Sequence, residues 1–123
     1  MLIVTVGPVF AHHSIAAVYD NTRRVSIEGA VTEFRFVNPH PVLFVRTDGE
    51  KDEVWALEMD NRSELAAIGV KADTFRPGDH VIASGSPARK SVRRFYLLEL
   101  HRPTDGLHYQ QIGTRPRIQL GNG

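Results

Sequence analysis

Val25-Ser26-Ile27-Glu28-Gly29-Ala30-Val31-Thr32-Glu33-Phe34-Arg35-Phe36-Val37 is the stretch that decides the fold. Val25, Ile27, Gly29 and Val31 alternate with Ser26, Glu28, Ala30 and Thr32, the period of a half-buried strand. Near Gly29 and Glu33 the phase changes, and Phe34 and Phe36 become the apolar members. A glycine inside a strand together with a phase change predicts a bulge or a sharp bend. Small closed barrels need such a bend in their first strand.

Downstream, Asn38-Pro39-His40-Pro41 reads as a turn, because two prolines in four residues do not fit a central strand. A second strand spans Val42 to Thr47. Asp48-Gly49-Glu50 is a hairpin turn, and a third strand spans Glu53 to Met59, with Trp55, Leu57 and Met59 on one face. Asp60 or Asn61 can cap a short helix, with Glu64 at capping-box distance from Asn61 and Gly69 as its stop. After Arg76-Pro77-Gly78-Asp79, His80 to Ser86 and Phe95 to His101 give a fourth and a fifth strand around a basic tip. The expected fold is therefore all-β with one short helix. It is an OB-like five-stranded antiparallel barrel in the order β-β-β-α-β-β, with another small barrel or a half-open sheet as the alternative. Residues 103–123 are polar and rich in glycine and proline, and read as a largely disordered tail whose Leu107 and Tyr109 can pack back onto the domain.

Upstream, Ser14 to Asn21 is short, with Ile15 and Tyr19 spaced to dock on one face of a helical turn. Residues 1–11 have the order of a secretory signal peptide. Leu2 to Val6 is an apolar run, Gly7-Pro8 breaks it, and Val9 and Ala11 stand at −3 and −1 of a cleavage before His12. No basic residue follows Met1 and the leader is short, which implies a start further upstream. The competing reading is a buried first strand at Leu2-Ile3-Val4-Thr5-Val6. The expected domain thus runs over residues 12–102, exported to the periplasm or the medium, with no transmembrane span in the mature chain.

The 123 residues suit one domain, and 41% hydrophobic with 24% charged residues is ordinary for a globular one. The absence of cysteine excludes thiol catalysis, disulfides and thiolate zinc sites. A net charge of +1 from 15 basic and 14 acidic residues gives no global field to draw nucleic acid, so nucleic acid is an unexpected partner.

Ala11-His12-His13-Ser14, Tyr19-Asp20, Gly29-Ala30-Val31-Thr32, Asn38-Pro39-His40, Trp55-Ala56-Leu57-Glu58 and Pro77-Gly78-Asp79 occur here in order. In these stretches, from Ala11 to about Leu100, the chain resembles a family of small exported bacterial proteins classed as a domain of unknown function. The resemblance implies export and names no activity. Pro41 stands where the family's pattern has a small residue followed by an aromatic, so a stacking contact beside His40 does not carry over.

The residues suited to chemistry are His12, His13 and His40. Imidazole nitrogens with a free terminal amine suit Cu(II) first and Zn(II) less well. An α-amine titrates at roughly 7.7–8.0 and yields its proton to a metal near neutral pH. Glu58, Asn38 and Trp55 are placed to support such a site or a ligand. Arg89, Lys90, Arg93 and Arg94 form a weak anion patch at a hairpin tip. The incidental reading is a soluble histidine pair and a His40 bonded to a loop carbonyl. The expected function is a non-enzymatic binding module for a small ligand, a metal ion or an envelope protein. The alternatives are a copper-dependent redox protein or copper carrier, and an oligosaccharide- or nucleic-acid-binding OB module.

Overall fold

The computed structural model describes residues 15–121. A turn of helix over residues 15–18 leads into β1 (Val25–Arg35), β2 (Val42–Thr47), β3 (Val54–Glu58), α1 (Arg62–Ala67), β4 (His80–Pro87), β5 (Arg94–Arg102), β6 (Leu107–Ile112) and β7 (Arg115–Gln119). The strands lie in the order β3-β2-β1-β4-β5-β6-β7, and β3 also pairs with β5. Strands β1 to β5 therefore form a closed barrel, with β6 and β7 extending the sheet from β5. The closing β3–β5 pair is parallel, unlike the wholly antiparallel barrel expected from sequence.

The bend in β1 is what permits closure. Residues 25–30 of β1 pair with β4 and residues 29–35 with β2, so one strand serves two neighbours that diverge. At the overlap, Gly29 faces Thr47 on one side and Val81 on the other. A Cβ on Gly29 would lie 2.0 Å from the Arg46 carbonyl oxygen, a distance no side chain tolerates. The register shifts between Val31 and Glu33, leaving Thr32 as the extra residue of a bulge. The second half of the barrel repeats the device. At Gly85 the β4–β5 register shifts, and a Cβ there would lie 1.9 Å from the Tyr96 carbonyl oxygen.

Helix α1 follows β3 and packs against the barrel core. Asn61 caps it by accepting the Glu64 amide at 2.9 Å. Gly69, at φ 102°, and Val70 return their amides to the Ala66 and Leu65 carbonyls, a Schellman ending. Its one buried residue, Leu65, joins Val31, Leu43, Val45, Leu57, Phe95 and Leu97 in the core.

The segment read as a disordered tail is instead part of the sheet. β6 pairs with β5 and β7 with β6, and Leu107 and Tyr109 are at most 1% exposed in the same core. The sheet thus runs past residue 102 to Gln119. A charged clamp holds the turn before β6. The Arg102 guanidinium donates to both oxygens of Asp105 at 2.9 and 2.7 Å, to Asp79 at 2.8 Å and to the Thr74 carbonyl at 2.7 Å. Asp105 also accepts the Leu107 amide. The Arg102 hydrogen bonds, then the Leu107 amide, hold the Asp105 carboxyl down at about 2, from an ordinary value of 3.8.

Because that value is depressed on folding, the clamp's stabilisation is complete above the unfolded value and disappears as pH falls through the folded one. Asp105→Asn is expected to lower the melting temperature at pH 7. The gap from the parent should close between about pH 4 and pH 2. Thermal melts across that range check it, and a pH-independent gap would show that the clamp does not form.

Candidate functional site

Tyr19 is the anchor on which the site is built. Its amide donates to the Ile15 carbonyl at 2.9 Å, and the residue forms an isolated bridge with Ala88. Its side chain is 2% exposed, with its ring 5.8 Å from that of Tyr96. The spacing of Ile15 and Tyr19 on one helical face thus puts Tyr19 fully inside and Ile15 half inside.

The Tyr19 hydroxyl donates to Glu58 Oε1 at 2.6 Å. The Arg94 guanidinium donates to the same oxygen at 2.9 Å and to the Tyr19 oxygen at 2.8 Å. Glu58 and Arg94 lie on β3 and β5, so this triad straddles the parallel seam that closes the barrel. Burial, reinforced by the hydrogen bond to Glu58, pushes the Tyr19 hydroxyl far above the ordinary tyrosine range, so it stays neutral while donating to Glu58 and accepting from Arg94.

On the other side of Glu58 stands His40. Its Nδ1 is 2.8 Å from the Met59 carbonyl oxygen and 4.0 Å from Glu58 Oε2. A carbonyl only accepts, so Nδ1 carries a proton, and in the neutral form of the ring the lone pair is then on Nε2. Carbonyl-tied imidazoles of this kind are the usual metal-binding form. His40 borders a cavity of about 820 Å³ that is also lined by Ile15, Tyr19, Asp60, Ser86, Tyr96 and Gln111.

Behind the cavity runs a polar relay. The Tyr109 hydroxyl donates to Gln111 Oε1, and Gln111 Nε2 donates to Asp60 Oδ2 at 2.8 Å. The Asn61 amide donates to Asp60 Oδ1 at 2.7 Å. Burial and then the charge of Asp60 raise the Tyr96 hydroxyl well beyond its ordinary value.

The residues singled out from sequence have separate fates. His12 and His13 lie outside the described residues. His40 and Glu58 come together, while Asn38 is exposed in the turn, where its bond to Pro39 is cis. Trp55 is half-buried against Phe95, ring centres 5.9 Å apart, and belongs to the core boundary. Phe44, on the neighbouring strand, is covered by the Arg35 guanidinium at 4.7 Å. The basic tip divides. Arg94 is bound in the triad and Arg89 donates to the Ala16 carbonyl, leaving Lys90 and Arg93 exposed and with no side-chain partner among the described residues. Tyr19, Arg94 in its inward role, Asp60, Tyr96 and Gln111 were not legible as one site. They come from segments up to 92 residues apart, and only the closed sheet gathers them.

One further group needs mention. Glu28, Asp48 and His80 bring one ligand atom each within 4.8 Å of one another on the surface. His80 Nε2 lies 2.8 Å from Glu28 and 3.8 Å from Asp48, and the hydrogen bond to Glu28 leads the effects that raise the imidazole's pKa, so the imidazole already serves as partner to the carboxylates.

Glu58→Gln should leave Arg94 short of its counter-charge and cost about 1–3 kcal/mol, while Tyr19→Phe should cost about 1 kcal/mol. Chemical denaturation of both variants and their double mutant checks this. Simple additivity of the two costs would contradict the triad.

No curated protein and no solved structure matches the chain. A family model described as a family of unknown function, DUF6152, matches residues 1–95. That span contains the barrel from β1 into the start of β5 and includes Tyr19, His40, Glu58, Asp60 and Arg94, and the chain belongs to the DUF6152 family.

Proposed function

We propose that this protein is an exported OB-like binding module whose ligand site is the cavity beside His40. The observation that carries the reading is the makeup of that cavity. Its lining holds an imidazole with Nε2 free of any described partner and a relay-held carboxylate, Asp60, among further polar side chains such as Ser86 and Gln111, with apolar wall from Ile15, Pro39 and Leu98. A concave site in which oriented polar groups stand beside apolar wall is how small-ligand pockets are built. The OB-like assignment rests on the closed five-strand arrangement with a helix between its third and fourth strands. Export to the periplasm or medium rests on the leader pattern before His12. Among the described residues, no helix is long and apolar enough to cross a membrane.

A second reading is a copper carrier or copper-dependent redox protein using His12, His13 and His40. It is favoured by one observation, the tautomer that leaves His40 Nε2 as the ligand atom. Ile15, which lines the same cavity, follows His12 by three peptide links, a reach of at most about 11 Å. Oligosaccharide or nucleic-acid binding on the β2–β3 face has less support, since Phe44 is capped by Arg35 and Trp55 is packed inward.

The test is amide chemical-shift mapping of the isotope-labelled protein against a small-fragment set and against Cu(II). Fragment-induced shifts centred on His40, Tyr96 and Gln111 are expected. Shifts centred on Phe44, on the Arg89–Arg93 tip, or nowhere would contradict the cavity reading. For copper, a chain beginning at His12 should bind at least about tenfold tighter than one carrying an extra residue before it. His40→Ala should remove that difference, and His80→Ala should not. Equal, weak binding by both chains would dismiss the copper reading.

A further inference from the structure

We infer that the His40 cavity selects an organic cation, a protonated amine on an apolar body, with Asp60 as its counter-charge. This rests on the reading of the cavity as the binding site and adds the class of ligand.

Asp60 is a buried carboxylate in the cavity lining. The residue is 8% exposed, and its two oxygens accept from Gln111 Nε2 and from the Asn61 amide, both neutral donors. Among the described residues no Lys, Arg or His pairs with it. A buried carboxylate answered only by neutral donors is costly, and proteins ordinarily supply a cation. Among the described residues that line the cavity there is no lysine or arginine. The carboxylate is also held in place on purpose. The Tyr109 hydroxyl fixes the Gln111 amide, so that its NH₂ faces Asp60 and the Gly113 carbonyl.

Two hydroxyls make the second, independent observation. Tyr96 and Ser86 are 8% and 4% exposed, and neither hydroxyl has a hydrogen-bond partner among the described residues. Yet no fully enclosed side-chain polar atom among the described residues lacks a partner. Both hydroxyls must therefore touch open space, and both residues line this cavity. Two acceptor oxygens and a carboxylate match the three N–H donors of a primary ammonium. Tyr19 and Tyr96 also line the cavity, and aromatic rings are favourable neighbours of a cation.

A bare metal ion fits these residues less well. The group of three ligand atoms close enough to share an ion among the described residues is Glu28, Asp48 and His80, not His40, Asp60 and Glu64. A volume of about 820 Å³ is also that of an organic molecule, and Ile15, Pro39 and Leu98 provide apolar wall for its body.

The experiment titrates the full chain with benzylammonium and with its neutral counterpart benzyl alcohol, following amide shifts. Benzylammonium is expected to move Tyr96, Ser86 and Gln111, and to bind at least about tenfold tighter than the alcohol. Asp60→Asn should erase that preference. Tyr96→Phe, which removes one oxygen and keeps the ring, should weaken the amine about fivefold without unfolding the protein. Equal binding of amine and alcohol at these residues, or an unchanged preference in Asp60→Asn, would overturn the cation claim and leave the cavity reading standing. Binding of neither, while other fragments bind there, would do the same. Amine shifts confined to another surface would overturn both.

Discussion

A parallel seam of three paired residues closes this barrel, and the carboxylate of Glu58 holds it. Ala56, Leu57 and Glu58 on β3 meet Arg94, Phe95 and Tyr96 on β5. Parallel pairing is slightly weaker per residue than antiparallel, and three pairs make a short ladder. The side chains supply what the backbone lacks. Glu58 from one strand, Arg94 from the other and Tyr19 from the approach to the barrel share two oxygens and a guanidinium within 2.9 Å. The same contact that shuts the seam pins the chain ahead of β1 to the barrel wall, and so sets the lip of the cavity.

That geometry makes structure and site inseparable. His40 reaches its position because Met59, one residue beyond Glu58, offers its carbonyl. Asp60 follows directly, held by its neighbour's amide and by Gln111 from β6. The hairpin of β6 and β7 is therefore more than an extension of the sheet. It delivers the glutamine that orients the one buried carboxylate of the cavity, and its Leu107 and Tyr109 complete the core beneath.

Much of the barrel could be read from residues 25–101, because period-2 alternation, Gly29, the proline pair and the helix caps each act locally. The bulge at Thr32 lies where the phase of the alternation breaks. The segment after Arg102 misled because its apolar residues are sparse. Yet Leu107, Tyr109 and Gln111 alternate, and this is the buried face of β6. Pro116, which argued against a strand, sits in β7 at the edge of the sheet, where a missing amide costs little. The site was half legible. His40 and Glu58 stood out as chemical residues in unusual contexts, whereas Arg94 read as one more exposed arginine of a basic tip. Nothing local distinguishes it, since its partner Tyr19 is 75 residues away.

The site depends on the imidazole of His40, which lines the cavity, keeping Nε2 free while the Met59 carbonyl holds Nδ1–H. Long-range nitrogen–proton correlation spectra of the histidine rings, recorded above neutral pH, report the tautomer directly. The Nδ1–H form is predicted for His40, with Nε2 carrying the shift of an unprotonated nitrogen. An Nε2–H form would contradict it, because the ring would then present a donor to the cavity and no lone pair for a ligand.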